Sequence, residues 1–127
     1  MQIKLNSVFV DDQEKALRFY TDVLGFVKRH DIPMGPFRWL TVVSPEAPDG
    51  AELLLEPNEN PAAQVYQKAL FEQGIPLTAF ASADVRAEYE RLKALGVVFR
   101  GKPQEIGTTT AVAFEDCCGN LIQLYEG

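Results

Sequence analysis

The sequence predicts an α+β fold of two βαβββ modules joined by a linker helix, and two observations carry that prediction. The stretch DQEKALRFYTDVLGF at 12–26 returns in weaker form as DVRAEYERLKALGV at 84–97. Each copy is flanked by strand patterns in the same order, so the repeat goes beyond a chance likeness of two amphipathic helices. Module one covers residues 1–58, the linker helix 59–75 and module two 76–127, and the 127 residues read as a single domain. A chain of this length buries roughly two thirds of its unfolded surface, enough for a core without disulfides or a structural metal.

Residues 3–10 alternate as a strand, with Ile3, Leu5, Ser7 and Phe9 on one face and Lys4, Asn6, Val8 and Val10 on the other. Asp12 then caps a helix whose Ala16, Tyr20, Val23 and Leu24 share one side, and Gly25 ends it. A short strand at 26–30 leads to a turn at MGP, 34–36. FRWLTVV, 37–43, is rich in aromatic and β-branched residues and reads as a strand. After the loop at 44–50, the strand at 51–56 sets Glu52, Leu54 and Glu56 opposite Ala51, Leu53 and Leu55.

The linker helix has Asn60 as cap, Pro61 at its first position and Gly74 as stop. Its Val65, Tyr66, Ala69 and Leu70 are expected to pack, leaving Gln67, Lys68 and Glu72 in water. Module two opens with a strand at 76–82 and a helix capped by Asp84, with Val85, Tyr89 and Leu92 on its apolar face and Gly96 as stop. A strand at 97–100, a turn-rich stretch at 101–107, a strand at 108–114, a turn at 116–120 and a strand at 121–125 complete it.

Twelve basic against eighteen acidic residues give a net charge of −6 without clusters. A nucleic-acid or anionic-membrane surface needs a positive patch, so neither partner is expected. No apolar run approaches the roughly 20 residues of a membrane span, and no signal-peptide pattern precedes the first strand; a cytoplasmic location is expected. Cys117 and Cys118 are adjacent and cannot staple distant segments; they read as reduced thiols in a turn, with a vicinal disulfide as the alternative. The paired acids Asp11 with Asp12 and Glu115 with Asp116 stand where a cap and a turn require Asp, not where acid–base chemistry needs them.

The strand ending in VDD, the KALRFYTDVLGF helix, the second helix ending LKALGV and the final GNLIQL strand resemble the vicinal oxygen chelate superfamily. That superfamily includes glyoxalase I, extradiol dioxygenases, and fosfomycin- and bleomycin-resistance proteins. The resemblance covers essentially the whole chain. It implies that the modules form an open, cup-shaped eight-stranded sheet, usually completed or flanked by a second subunit, so a homodimer is expected. It also implies one divalent metal held by His, Glu or Gln from the first and last strands of each module, acting as a Lewis acid. The matching positions here are Leu5, Leu54, Thr78 and Gln123. Leucine binds no metal, threonine does so rarely and glutamine is a weak ligand, so no cofactor is expected. If a metal binds, Glu56 and Gln123 are its ligands, with Glu56 as the catalytic base. The one histidine, His30, sits in KRHD before a Pro turn and is expected to be exposed, away from those positions.

On the faces that the resemblance turns toward the cup stand Ser7, Phe9, Glu56, Thr78, Phe80, Gln123 and Tyr125. Aromatic walls with a few polar groups suit a small-molecule pocket, while a filled core is the alternative. Trp39 and Arg38 point to opposite sides, so either Trp39 stacks on a planar ligand or Arg38 clamps an anionic one. The residues favour a protein that holds a small organic molecule without the usual metal, as bleomycin-resistance relatives do. The alternatives are a divalent-metal lyase, isomerase or transferase of the glyoxalase type, and a dimeric structural or regulatory domain without ligand.

Overall fold

Both helix starts are built as the sequence implies. In the computed structural model, which describes residues 1–127, Asp12 and Asp84 are extended and their carboxylates accept the amide hydrogens of Lys15 and Ala87 at 2.9 and 3.0 Å. Each cap satisfies a donor that the first helical turn leaves without a carbonyl. The chain leaves both helices through glycine, Gly25 at φ 91° and Gly96 at φ 90°, in the left-handed region where a side chain would be strained.

Two compact units result, Met1–Val65 and Tyr66–Gly127. The first contains β1 (Leu5–Val10), α1 (Gln13–Arg18), β2 (Val27–Met34), β3 (Phe37–Val43) and β4 (Glu52–Pro57). Its four-stranded sheet has the order β1-β4-β3-β2, with β1 parallel to β4 and the other neighbours antiparallel. Val8, Val10, Ala16, Tyr20, Leu40, Val42 and Leu55 form its buried core. Each fully buried large side chain contributes about 1.5–3 kcal/mol over leaving it in water.

The first helix differs from its expected regular form: past Arg18 it widens into a π-helical stretch, Phe19–Val23. The Leu24 amide bonds the Phe19 carbonyl at 3.0 Å, and the Thr21 hydroxyl donates to the Leu17 carbonyl at 2.6 Å. A hydroxyl competing for the carbonyl one turn back is a recognised disturbance of helical pairing. The widened turn keeps Phe19 edge-on to Tyr20 and Tyr20 stacked on Phe26, with ring centroids 5.7 and 6.3 Å apart.

Gln13 ties α1 to the sheet. The β3–β4 ladder is short, pairing Thr41 with Leu54 and Val42 with Leu53. Alongside it, the Gln13 amide donates to the carbonyls of Arg38 at 2.7 Å and Leu55 at 2.9 Å and accepts the Arg38 N–H at 3.0 Å.

The linker helix α2 (Pro61–Gln73) starts at the end of the first unit, where Asn60 accepts the Ala62 amide at 2.9 Å, and runs on into the second. The second unit adds β5 (Thr78–Ser82), α3 (Val85–Ala94), β6 (Gln104–Ile106), β7 (Thr109–Glu115) and β8 (Leu121–Glu126), with sheet order β5-β8-β7-β6. Val85, Tyr89 and Leu92 of α3 are buried as expected, in a core with Val112, Phe114, Ile122 and Leu124.

Two expectations fail here. The stretch 97–100 is not a regular strand: it makes one bridge, Phe99 to Phe114, and β6 forms later, within the stretch read as turn-rich. Gly101 at φ 96° and Pro103, which has no N–H, break the ladder between the two pieces. On α2 the expectation fails at three positions, while Lys68 and Glu72 are exposed as expected and Ala69 and Leu70 are part-buried. Val65 and Tyr66 are 70% and 54% exposed, whereas Gln67 is buried.

The reason is a polar turn. Asp116 accepts the amides of Cys118 and Asn120 at 2.8 and 3.0 Å, and the Asn120 side chain donates back to it at 2.7 Å. Gln67 donates to the Cys118 carbonyl and to Asn120 Oδ1, both at 3.0 Å. All three polar side chains are buried, which their mutual bonding permits. Neither cysteine of the turn is in a disulfide; Cys117 is exposed at φ 63° and Cys118 is buried. Gln67→Ala is therefore expected to lower stability by about 1–3 kcal/mol, read as a lower urea midpoint at unchanged slope; a wild-type midpoint would show that the turn closes without it.

Candidate functional site

Side chains at paired sheet positions lie on one face, so the registers sort the candidates. In the first unit Leu5, Ser7 and Phe9 pair with Glu52, Leu54 and Glu56. Thr41 pairs with both Leu54 and His30, and Trp39, two residues before it, with Ile32. Ser7, Phe9, Trp39 and Glu56 thus share the face opposite the buried Val8, Val10, Leu40 and Leu55.

In the second unit the expected grouping breaks. Gln123 and Tyr125 pair with Ala79 and Ala81, whereas Thr78 and Phe80 pair with the buried Ile122 and Leu124. Thr78 and Phe80 therefore stand on the other side of the sheet from Gln123 and Tyr125. The interval from Leu5 to its cap Asp12, applied back from Asp84, lands on Leu77, and a one-residue slip moves every side chain of a strand to the opposite face. On β7, Ala111 and Ala113 pair with Tyr125 and Gln123, so the face around these two is built from alanines.

The first unit's open face holds a cluster that strand alternation does not reveal. His30 Nδ1 lies 2.8 Å from Glu52 Oε1, and the Thr41 hydroxyl donates to the same oxygen at 2.7 Å. Thr41 Oγ1 also accepts the His30 backbone N–H at 3.1 Å. These bonds, from Thr41 first and His30 second, hold the Glu52 carboxyl below its ordinary pKa, so it is ionised at neutral pH. His30 is part exposed, as expected, but it is bonded to Glu52 and paired with Thr41, the residues that stand opposite Leu5 and Leu54. A bulge between Lys28 and His30 brings it there, and β2 is longer than the sequence suggested.

Arg38 is on the opposite side of β3 and is fully engaged. Its guanidinium bonds Asp31 through Nε at 2.9 Å and Nη2 at 2.7 Å, and Glu14 through Nη1 at 2.6 Å. That leaves Trp39, not Arg38, for the open face. The Arg38 hydrogen bonds hold Asp31 down to about 2, and the two acids raise Arg38 above its ordinary value.

The donors do not fit a divalent metal of the kind the fold implies. Leu5 and Leu54 carry no donor atom, and no three His, Cys, Asp or Glu side chains are grouped to hold an ion. His30 and Glu52 are engaged with each other, and Glu56 belongs to no such group of three.

The model of the Glyoxalase/Bleomycin resistance protein/Dioxygenase superfamily matches residues 2–124. The uncharacterised protein YurT of Bacillus subtilis strain 168 is 55% identical over 126 residues, 99% of each chain. Among solved structures, UcmS2 is 30% identical with a TM-score of 0.86, covering 100% of this chain and 98% of its own. TnmS3, an antibiotic binding protein from Streptomyces sp. CB03234, is 28% identical with a TM-score of 0.76, covering 99% and 95%.

Because Asp31 is held near 2 when folded against an ordinary value of 3.8, its pairing stabilises the fold fully above the unfolded value and is lost as pH falls toward 2. Urea midpoints measured from pH 6 to pH 2 should fall less steeply below pH 4 in Asp31→Asn than in the parent; parallel curves would mean the pair carries no acid dependence.

Proposed function

The chain belongs to the Glyoxalase/Bleomycin resistance protein/Dioxygenase superfamily, and on that premise we propose that it binds a small organic molecule on the open face of module one. The observation that carries this reading is the make-up of that face. Aliphatic Leu5 and Leu54 stand where metal-using relatives need ligands, and aromatic Phe9 and Trp39 flank them beside Ser7, Glu56 and the His30 cluster. Apolar and aromatic surface with a few fixed polar groups is the make-up of ligand sites, and a donor-poor centre suits a carbon framework better than an ion. Likeness to an antibiotic binding protein over nearly the whole chain supports the same reading. Trp39 offers a planar ligand a stacking partner. The protein acts as a cytoplasmic homodimer in this reading, without a metal cofactor.

Glu56 on the same face supports a second reading, a divalent-metal lyase, isomerase or transferase with Glu56 among its ligands. Elemental analysis after loading with Mn²⁺, Ni²⁺ or Zn²⁺ and dialysis separates the two. One retained ion per chain, lost in Glu56→Gln, would favour the enzyme.

Titration with a panel of planar antibiotics and aromatic metabolites is expected to give at least one saturable quenching of Trp39 fluorescence, confirmed by calorimetry. Ser7→Arg, a bulky charge at an exposed position, should weaken that binding by about tenfold or more, about 1.4 kcal/mol. No saturable response from any member of the panel would end the binding proposal.

A further inference from the structure

The bonding around His30 fixes more than its position. Glu52 is ionised and accepts only, so the ring nitrogen 2.8 Å from its Oε1 must carry the hydrogen. Thr41 cannot be the donor to that nitrogen, because its hydroxyl hydrogen goes to the same carboxylate oxygen at 2.7 Å. In the neutral imidazole Nδ1 is then the N–H and Nε2 the bare acceptor. Three strands set this arrangement, since β2, β3 and β4 each supply one of the three groups. The imidazole remains 43% exposed and Glu52 27%, so the ring, held through Nδ1, keeps part of its surface in solvent. Its surroundings hold little else that is charged. Glu52 faces it from β4 and Arg29 adjoins it in sequence, while Lys28 and Asp31 pair with each other at 3.3 Å. Across from Glu52 stands Leu5, and across from Thr41 stands Leu54, so the two residues that hold the ring have aliphatic partners on the neighbouring strands.

We propose that His30 is the ligand-selecting residue of this face, accepting through Nε2 a hydrogen bond from an acidic hydroxyl, a phenol or enol, on a planar ligand stacked near Trp39. The inference rests on the small-molecule reading and narrows it to one chemical class. Glu52 and Thr41 are positioning residues: they fix the tautomer and ring plane and do not touch the ligand. A buried or half-buried acceptor left without its donor loses far more affinity than a missing methyl contact would, so the site should separate a hydroxyl compound from its methyl ether.

The tautomer is tested without any ligand. With one histidine in the chain, nitrogen-15 NMR at a pH where the imidazole is neutral gives a single pair of ring signals. The expected pattern is protonated Nδ1 and bare Nε2, with mixed tautomers in Glu52→Gln; a bare Nδ1 in the parent overturns the assignment.

The selection is tested by calorimetry with 4-methylphenol and its methyl ether 4-methylanisole, at a pH where the imidazole is neutral and the phenol keeps its hydrogen. The phenol is expected to bind about tenfold or more tightly than the ether, and His30→Phe, which keeps a flat ring, should abolish the difference. Glu52→Gln should reduce it while leaving the ether unchanged. Equal binding of the pair overturns the His30 role and leaves the small-molecule reading standing, whereas failure of both compounds and of the wider panel overturns both.

Discussion

Gln13 carries the constraint on which the first unit depends. A sheet whose two central strands share so short a ladder would leave backbone groups of Arg38 and Leu55 without partners, and unpaired backbone groups are expensive wherever water is excluded. One side-chain amide answers for three of them. Because Gln13 directly follows the capping Asp12, the bond that starts the helix and the bonds that dock it belong to neighbouring residues. The orientation of the sheet's two faces follows: the inner face closes on Val8, Leu40, Val42 and Leu55, and the other carries part-exposed Trp39 and Glu52 around a buried Thr41.

The two modules solve the same problem differently. In the second, the residue after the capping Asp84 is Val85, fully buried, and the ladder between β7 and β8 runs unbroken from Ala111 to Glu115. With no gap to bridge, an apolar side chain serves. The polar device moves instead to the turn before β8, where Asp116, Asn120 and Gln67 satisfy one another, so that no buried side-chain polar atom in the chain lacks a partner. The outer faces diverge as well: the first gathers aromatic and ionisable groups, and the second surrounds Gln123 with alanines. The two modules share the cap, helix and glycine frame and differ at the outward positions.

That frame is what a reader of the sequence sees. Asp12, Asp84, Asn60 and the glycines after each helix act through their nearest neighbours, so local pattern finds them. Tyr20, Tyr89 and Leu92 are legible because helical spacing alone turns them inward. What escapes depends on distant partners or on a single inserted residue. Gln67 looks like a solvent residue until the turn at 116–120 is brought to it. His30 reaches Glu52 only because a bulge resets the register of β2, and Thr78 and Phe80 change face on a slip of one. The π-helical stretch coincides with a hydroxyl bond from Thr21 to the Leu17 carbonyl, which the apolar pattern of the helix does not signal. Membership of the superfamily was legible in FYTDVLGF and the final strand, and the open-face chemistry of module one was legible only in part.

The turn at Asp116 also imposes an order on biosynthesis. The first unit has all its strands once Pro57 has been made, whereas β5 pairs only with β8 and Gln67 waits for partners 51 and 53 residues later. A nascent chain emerging from the ribosome therefore carries a closable first half and, behind it, a helix and an edge strand whose apolar sides stay uncovered until residues past 121 follow. Half-made chains of this kind are the ones that chaperones and proteases meet, and substitutions in the second module should show in the cell as lower yield before they show as altered binding.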